Sequence, residues 1–175
     1  MKNIKFAAVA AAALTFVAAP ALAQTTFQPT TFYGNLGYSH VDGDGVDLGA
    51  ISARLGARFG QYLGLEAEGG LGVNDDTVGG AKVDLKHSVA GYVVGFAPVT
   101  PKIDLIGRVG YGTTRIGAEA GGVSVKDNQD SWNYGVGGQY FFDAANGLRA
   151  EWTRFDFTND AGKADVWSVH YVRKF

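Results

Sequence analysis

The sequence predicts an all-β chain: a closed, antiparallel, up-and-down transmembrane β-barrel of eight strands. Three observations carry that expectation. Short stretches alternate apolar and polar residues and are separated by turn-rich segments, the weak signature of membrane-spanning strands. The chain opens on an export signal. It closes on Phe175, in register with the apolar residues Trp167, Val169 and Tyr171, while Ser168, His170 and Lys174 hold the alternate places. Chain ends normally fray and stay polar. An aromatic last residue therefore places the C-terminus inside a structure, with its ring buried.

The N-terminal element is read first. Lys2 and Lys5 precede an alanine-rich run from Phe6 to Ala19, and Pro20 leads into the small-x-small site Ala21-Leu22-Ala23, followed by Gln24. This is a Sec-type signal peptide over residues 1–23, with cleavage expected between Ala23 and Gln24. Its apolar run is shorter than the ~20 residues that span a bilayer as a helix. Residues 24–30 form a short extension, and residues 31–175 the barrel. The chain has no cysteine, which excludes disulfides, thiolate metal sites and lipid attachment at the cleavage point. Cleavage removes two of the 15 basic residues and none of the 17 acidic ones, leaving a mild negative charge. No basic stripe survives, so nucleic acid is excluded as a partner.

Eight strands are expected near Phe32–Val41, Leu48–Phe59, Leu63–Val73, Asp84–Phe96, Ile103–Ile116, Ser131–Phe142, Leu148–Phe157 and Ala164–Phe175. Pro20, Pro29, Pro98 and Pro101 all fall outside these strand interiors, as a sheet requires. The connectors Gly60 to Tyr62, Ala97 to Lys102 and Asp143 to Gly147 are short. Those from Asp42 to Asp47, Asn74 to Val83, Gly117 to Asp130 and Thr158 to Lys163 include the longer, Gly/Asp/Asn-rich ones. Short periplasmic turns alternating with longer extracellular loops fit a barrel whose termini lie on the periplasmic side.

The two faces differ in chemistry. Arg54, Arg58, Glu66, Glu68, Arg108, Arg149 and Glu151 gather on one face, interleaved with glycines. Ile51, Ala53, Leu55, Leu65, Leu71, Leu105 and Val109 make the other. A soluble barrel would turn the charges outward. The membrane arrangement is favoured because Trp132, Phe142, Trp167, Phe175, Tyr38 and Phe32 sit near strand ends on the apolar face, as interfacial girdles do. Trp132 and Phe142 lie about 33 Å apart along a strand. At a tilt of about 40° that is roughly 25 Å of height, the thickness of an apolar band. The charges then form a mixed-sign network inside a narrow lumen, in which Arg58 and Glu66 are expected to face each other across the hairpin at Gln61-Tyr62.

These features resemble the small eight-stranded outer-membrane proteins of the OmpA/OmpX type, within the porin-like outer-membrane β-barrel family. The segments Gly64-Leu65-Glu66-Ala67-Glu68, Arg108-Val109-Gly110-Tyr111-Gly112 and Trp167 to Phe175 carry the resemblance, which covers the whole chain. It implies residence in the outer membrane among its lipids. It also implies insertion by the barrel assembly machinery, with Trp167, Val169, Tyr171 and Phe175 as the assembly signal. Arg173 departs from that pattern, where an apolar residue is usual. No peptidoglycan-binding domain is expected after the barrel.

Candidate chemistry is sparse. Asp42-Gly43-Asp44-Gly45-Val46-Asp47 is laid out partly like a calcium loop, but its glycines fall wrongly and Ala53 stands where the bidentate acid belongs. His40, His87 and His170 lack metal-ligand spacing. Gly135-Val136-Gly137-Gly138 lies inside a strand and opens no helix, so it cradles no phosphate. Ser168 and His170 share one face of the last strand, and a serine, a histidine and a carboxylate can make a nucleophile. Some outer-membrane lipid A deacylases are similar, but there the site opens to lipid, whereas this pair shares the lumen face of Lys174. No enzyme activity and no cofactor is expected. The favoured function is a structural or surface-interaction barrel with a side-chain-filled lumen, acting through its extracellular loops. The alternatives are a small porin-like channel for ions or polar solutes and a soluble periplasmic ligand-binding barrel. The sequence names no extracellular partner.

Overall fold

The computed structural model describes residues 29–43, 46–73, 75–78, 81–120, 123–158 and 162–175. The expected signal peptide and its cleavage residues Ala21, Ala23 and Gln24 lie outside the described residues. The chain forms strands β1 (Thr30–Gly43), β2 (Val46–Phe59), β3 (Leu63–Gly72), β4 (Asp75–Val78), β5 (Ala81–Thr100), β6 (Ile103–Ala120), β7 (Val123–Phe141), β8 (Asn146–Phe157) and β9 (Lys163–Lys174). β3 and β4 both pair with β5, end to end, and make one interrupted stave. The barrel therefore has eight staves, each antiparallel to the next.

The sheet closes on itself. β1 pairs with β9 from Tyr33↔Lys174 to Asp42↔Asp165, and the Phe175 N–H donates to the Phe32 carbonyl at 2.9 Å. Closure leaves no sheet edge, and an edge is what hydrocarbon cannot satisfy. The pairing also fixes the stagger. From Phe32 the partners run through Ala57, Leu65, Val93, Val109, Tyr134, Arg154 and Asp165, and return to β1 at Asp42, ten residues further on. Eight staves with a shear of ten tilt by about 40° and enclose a backbone cylinder of about 8 Å radius. That width is filled by side chains.

The alternation assigns the faces. Leu55, 72 % exposed, leads an outward set that includes Phe32, Ile51, Leu71, Leu105, Val136 and Val169. Arg54, Glu66, Arg108, Arg149 and Glu151 are buried in the lumen. On the outward face of β8 and β9, Trp152 stands beside Trp167. One step beyond, Arg154 holds Asp165 through two bonds of 2.8 Å, and Lys163 holds Asp156 at 3.0 Å. These pairs mark the outer limit of the apolar band. At the opposite end Arg173 lies exposed beyond Tyr171, where the band gives way to the polar interface, which accounts for its departure from the apolar pattern. Phe175 is 77 % exposed on the outward face. Its ring is thus left for lipid to cover, not buried in protein as the sequence suggested.

Two readings of the connectors are corrected. Asn74 to Val83 and Gly117 to Asp130, expected as long loops, are mostly strand: β4 pairs with β5 up to Val78↔Ala81, and β6 with β7 up to Ala120↔Val123. Their Gly/Asp/Asn content imitates a loop, yet the paired backbone is satisfied by its partner strand. Only Gly79-Gly80 and Gly121-Gly122 separate the paired residues, and Asp44-Gly45 does the same between β1 and β2. Such dipeptides are the strongest short hairpin signals. Pro98, assigned to a connector, lies in β5 opposite Asp104, where the register shifts between Pro98 and Thr100. A bulge is where a strand tolerates proline.

Two glycines show what the fold asks of this residue. Gly60 turns β2 into β3 at φ 65°, a left-handed conformation that other residues strain to adopt. Gly56 lies directly under the Tyr33 ring, and a Cβ there would come within 2.3 Å of that ring. The tyrosine can fold across the lumen only because its cross-strand partner has no side chain.

The turn between β7 and β8 is organised by Asp143. Its carboxylate accepts bonds from the Asn146 side-chain amide at 2.9 and 3.0 Å and from the backbone N–H groups of Ala145 and Asn146 at 2.8 and 2.7 Å. These donors, the Asn146 amide first, hold its pKa below the usual carboxylate value. A group depressed on folding stabilises above its unfolded pKa and loses that contribution as pH falls through the folded one. Asp143→Ala should therefore lower the urea midpoint at pH 7, and the difference from the parent should shrink in acid as the pH falls through the depressed folded pKa. Urea titrations of both proteins in detergent micelles at pH 7 and in acid measure this.

Candidate functional site

Mid-lumen, three arginines meet three glutamates. Arg54 from β2 reaches Glu68 at 2.5 Å and also bonds Glu151. Arg149 from β8 reaches Glu66 at 2.5 Å and Glu151 at 2.7 Å. Arg108 from β6 bonds Glu68 at 2.9 Å and lies within 3.9 Å of Glu66 and 3.8 Å of Glu151. The layer is neutral, and each carboxylate touches more than one guanidinium. Inward strand positions alternate with outward ones, so Glu66 and Glu68 on β3, and Arg149 and Glu151 on β8, necessarily share the lumen face.

Neutral groups lock the layer to the wall. The Tyr33 hydroxyl donates to Glu66 at 2.7 Å. Arg108 donates to Thr153 at 2.9 Å and stacks over the Tyr92 ring at 4.2 Å, while the Asn133 amide donates to the Tyr92 hydroxyl at 3.0 Å. Arg149 has no exposure at all. Toward the periplasmic end a second stopper follows: Tyr33, Tyr92, Val94, Phe96 and Ile106 pack as an apolar cluster. Below it Lys174 sits 3.4 Å from the Phe141 ring centroid.

The expected pairing of Arg58 with Glu66 does not form. The three-residue turn at Gly60 sets Arg58 opposite Gly64, Gly56 opposite Glu66 and Arg54 opposite Glu68. The hairpin register is thus two residues away from the one assumed. Arg58 instead holds Asp104 at 2.8 Å, and Gln139 donates to the same carboxylate at 2.7 Å. Asp104 escaped the sequence reading. The available signal was its place four residues before Arg108, on the same face of one strand.

His170 and Ser168 both face the lumen and are buried. The His170 Nε2 lies 2.7 Å from the Ser52 hydroxyl, which in turn lies 2.9 Å from that of Ser39. Ser168 is not bonded to His170. The Ser168 hydroxyl, His170 Nδ1, Arg149 Nε and the Asn35 amide are buried without a protein partner, on the adjoining staves β8, β9 and β1. Buried groups of this kind call for internal water. Among the described residues no three His, Asp or Glu side chains converge to hold a metal. The Asp42 to Asp47 stretch lies partly outside the described residues.

Residues 9–175 match the profile of the outer membrane protein beta-barrel domain. The chain belongs to that family. Its members are barrels of the bacterial outer membrane, and the girdled outer face and filled lumen are those of a small member. No curated protein matches the chain in sequence. Among solved structures, the Yersinia pestis attachment invasion locus protein Ail, in complex with the heparin analogue sucrose octasulfate, is 18 % identical over 83 % of this chain and 97 % of its own, with a TM-score of 0.59. Neisserial surface protein A is 12 % identical over 83 % and 97 %, with a TM-score of 0.62. The N-terminal barrel domain of Pseudomonas aeruginosa OprF is 13 % identical over 85 % and 98 %, with a TM-score of 0.64. At such identities these neighbours share the fold. On this family's outer face, Trp167, Val169, Tyr171 and Phe175 form one exposed row along β9.

The geometry separates two pairings by experiment. Removing one partner of a buried ion pair costs about 3–5 kcal/mol, because the other charge is stranded. In urea unfolding from detergent micelles, Glu66→Gln and Arg149→Gln should be strongly non-additive. Glu66→Gln and Arg58→Gln share no partner and should add to within about 0.5 kcal/mol.

Proposed function

We propose that this outer-membrane barrel is a closed frame serving a structural or surface-interaction role at its extracellular end, and that it does not pass solutes. The observation that carries the reading is the Arg54–Glu68–Arg108–Glu66–Arg149–Glu151 layer, which spans a lumen of about 8 Å backbone radius. A permeating ion would have to displace guanidiniums that each hold two carboxylates, and the apolar cluster below it offers no hydrogen bonds to a hydrated solute. The mixed signs supply no net field to draw either kind of ion inward. Meanwhile β5, β6 and β7 run as 18- to 20-residue strands. Their outer ends continue as paired backbone past the level of Trp132, toward the exterior.

Planar-bilayer recording tests the reading. The mature protein should show no conductance steps above those of a protein-free bilayer, and stable steps in the unmodified protein would establish the channel instead. Assembly gives a second test. The exposed aromatic row on β9 supports a role as the signal read during insertion. Deleting Phe175 should reduce the fraction inserted in cells several-fold while leaving the urea midpoint of refolded protein nearly unchanged, since the ring makes few protein contacts. Normal insertion of the truncated chain would remove the signal role.

A further inference from the structure

Above the ion-pair layer the lumen changes character. A cavity of about 230 Å³ opens there, walled by Val41, Leu48, Leu85, Ile116, Phe155 and Val166. Its floor carries a row of hydroxyls, Ser39, Ser52, Ser88 and Thr114, beside Glu68, and Lys163 stands at its outer edge. The interior of an outer-membrane barrel is ordinarily polar, and water held in a cavity needs two to four polar partners. These walls supply few. The other polar groups of the lumen lie lower, in the ion-pair layer and along β8, β9 and β1. An apolar lining facing the watery end of the barrel, with nothing of the described chain packed into it, is suited to hydrocarbon.

We propose that this cup is a binding site for a single uncharged, hydrocarbon-rich molecule about the size of an alkylbenzene, taken up from outside the cell. Size sets the first limit. An apolar cavity of 150 Å³ holds benzene, so one half again as large takes roughly nine carbon atoms. Charge sets the second. Glu68 at the floor is matched by Arg54 and Arg108, and Lys163 at the outer edge by Asp156, so neither an anion nor a cation finds an uncompensated partner there. Either ion would lose its hydration without return. Access sets the third. The staves are laddered shut along their length, and the ion-pair layer closes the floor, so the ligand enters and leaves by the outer mouth. The cup binds without transporting, which sets it apart from both the closed-frame role and a channel.

The mature protein in lipid nanodiscs, titrated with propylbenzene and followed by amide chemical shifts, tests this. The expected result is a saturable shift at Leu48, Ile116 and Val166. Filling the cup with Ala50→Phe or, from two staves away on β9, Ala164→Leu should weaken that binding at least tenfold, and circular dichroism identifies which filled variants fold. Octanoate, similar in length but anionic, should bind at least tenfold more weakly than propylbenzene. Shifts confined to outward residues such as Leu55 and Val109 would show partition into lipid alone and overturn the site. Undiminished binding in a folded, filled variant would also overturn it, and equal binding of octanoate would overturn the preference for a neutral ligand.

Discussion

Hydrocarbon offers no hydrogen-bond partners, so every backbone N–H and C=O of this chain that crosses the membrane must be satisfied by the chain itself. The β1–β9 ladder meets that demand by joining the first stave to the last. Once the sheet is closed, the stave count and the ten-residue stagger leave no freedom in the radius. A cylinder about 8 Å in radius brings the long side chains of its lumen face into contact across the axis. The lumen charges are therefore driven against one another, and the three-arginine, three-glutamate layer is the consequence of closure as much as of sequence.

That layer works because it is complete. A guanidinium presents five donors in a rigid fork, and a carboxylate accepts at two oxygens. Arg149 bonding both Glu66 and Glu151 through its two terminal nitrogens, with Tyr33 capping Glu66, satisfies the charged centre and leaves only the Arg149 Nε to internal water. Burial of ions is costly, and a layer with one member missing would be less stable than an apolar plug. The glycines are part of the same economy of space. Gly56 under Tyr33 and Gly110 under Tyr92 let two large rings lie flat against the wall and still reach the charged centre. Along the axis the lumen then passes from an outer apolar cup, through the ionic layer, to an aromatic and aliphatic stopper.

Period-two alternation, with the export signal and the turn-rich connectors, determined the class of fold, the number of staves, the membership of each face and, Asp104 apart, the identity of the charged residues inside. It could do so because a strand sends neighbouring side chains to opposite faces, so Arg54 and Leu55 had to part company in any barrel. The terminal row from Trp167 to Phe175 and the girdle at Trp132 and Phe142 likewise told lipid from lumen without coordinates. Composition misled where glycine and aspartate were abundant, since β4 and the outer ends of β5, β6 and β7 carry loop-like residues within paired strands. The Gly-Gly pairs at 79-80 and 121-122 in the sequence were the available turn signal against a long loop.

Which charge meets which was decided only by the tertiary structure. Alternation fixes a face but not a height, and a turn that differs by one conformation slides one strand past the other by whole residues. Gly60, with its left-handed φ, set Arg58 against Gly64 and sent its side chain to Asp104, leaving Glu66 to Arg149 from a stave 83 residues away in sequence. The shear compounds such offsets around the barrel, so partners on distant staves are fixed by closure and by no local pattern. For the same reason the outer cup was invisible in the sequence. Its walls come from seven of the eight staves, and only the closed cylinder brings them around one space.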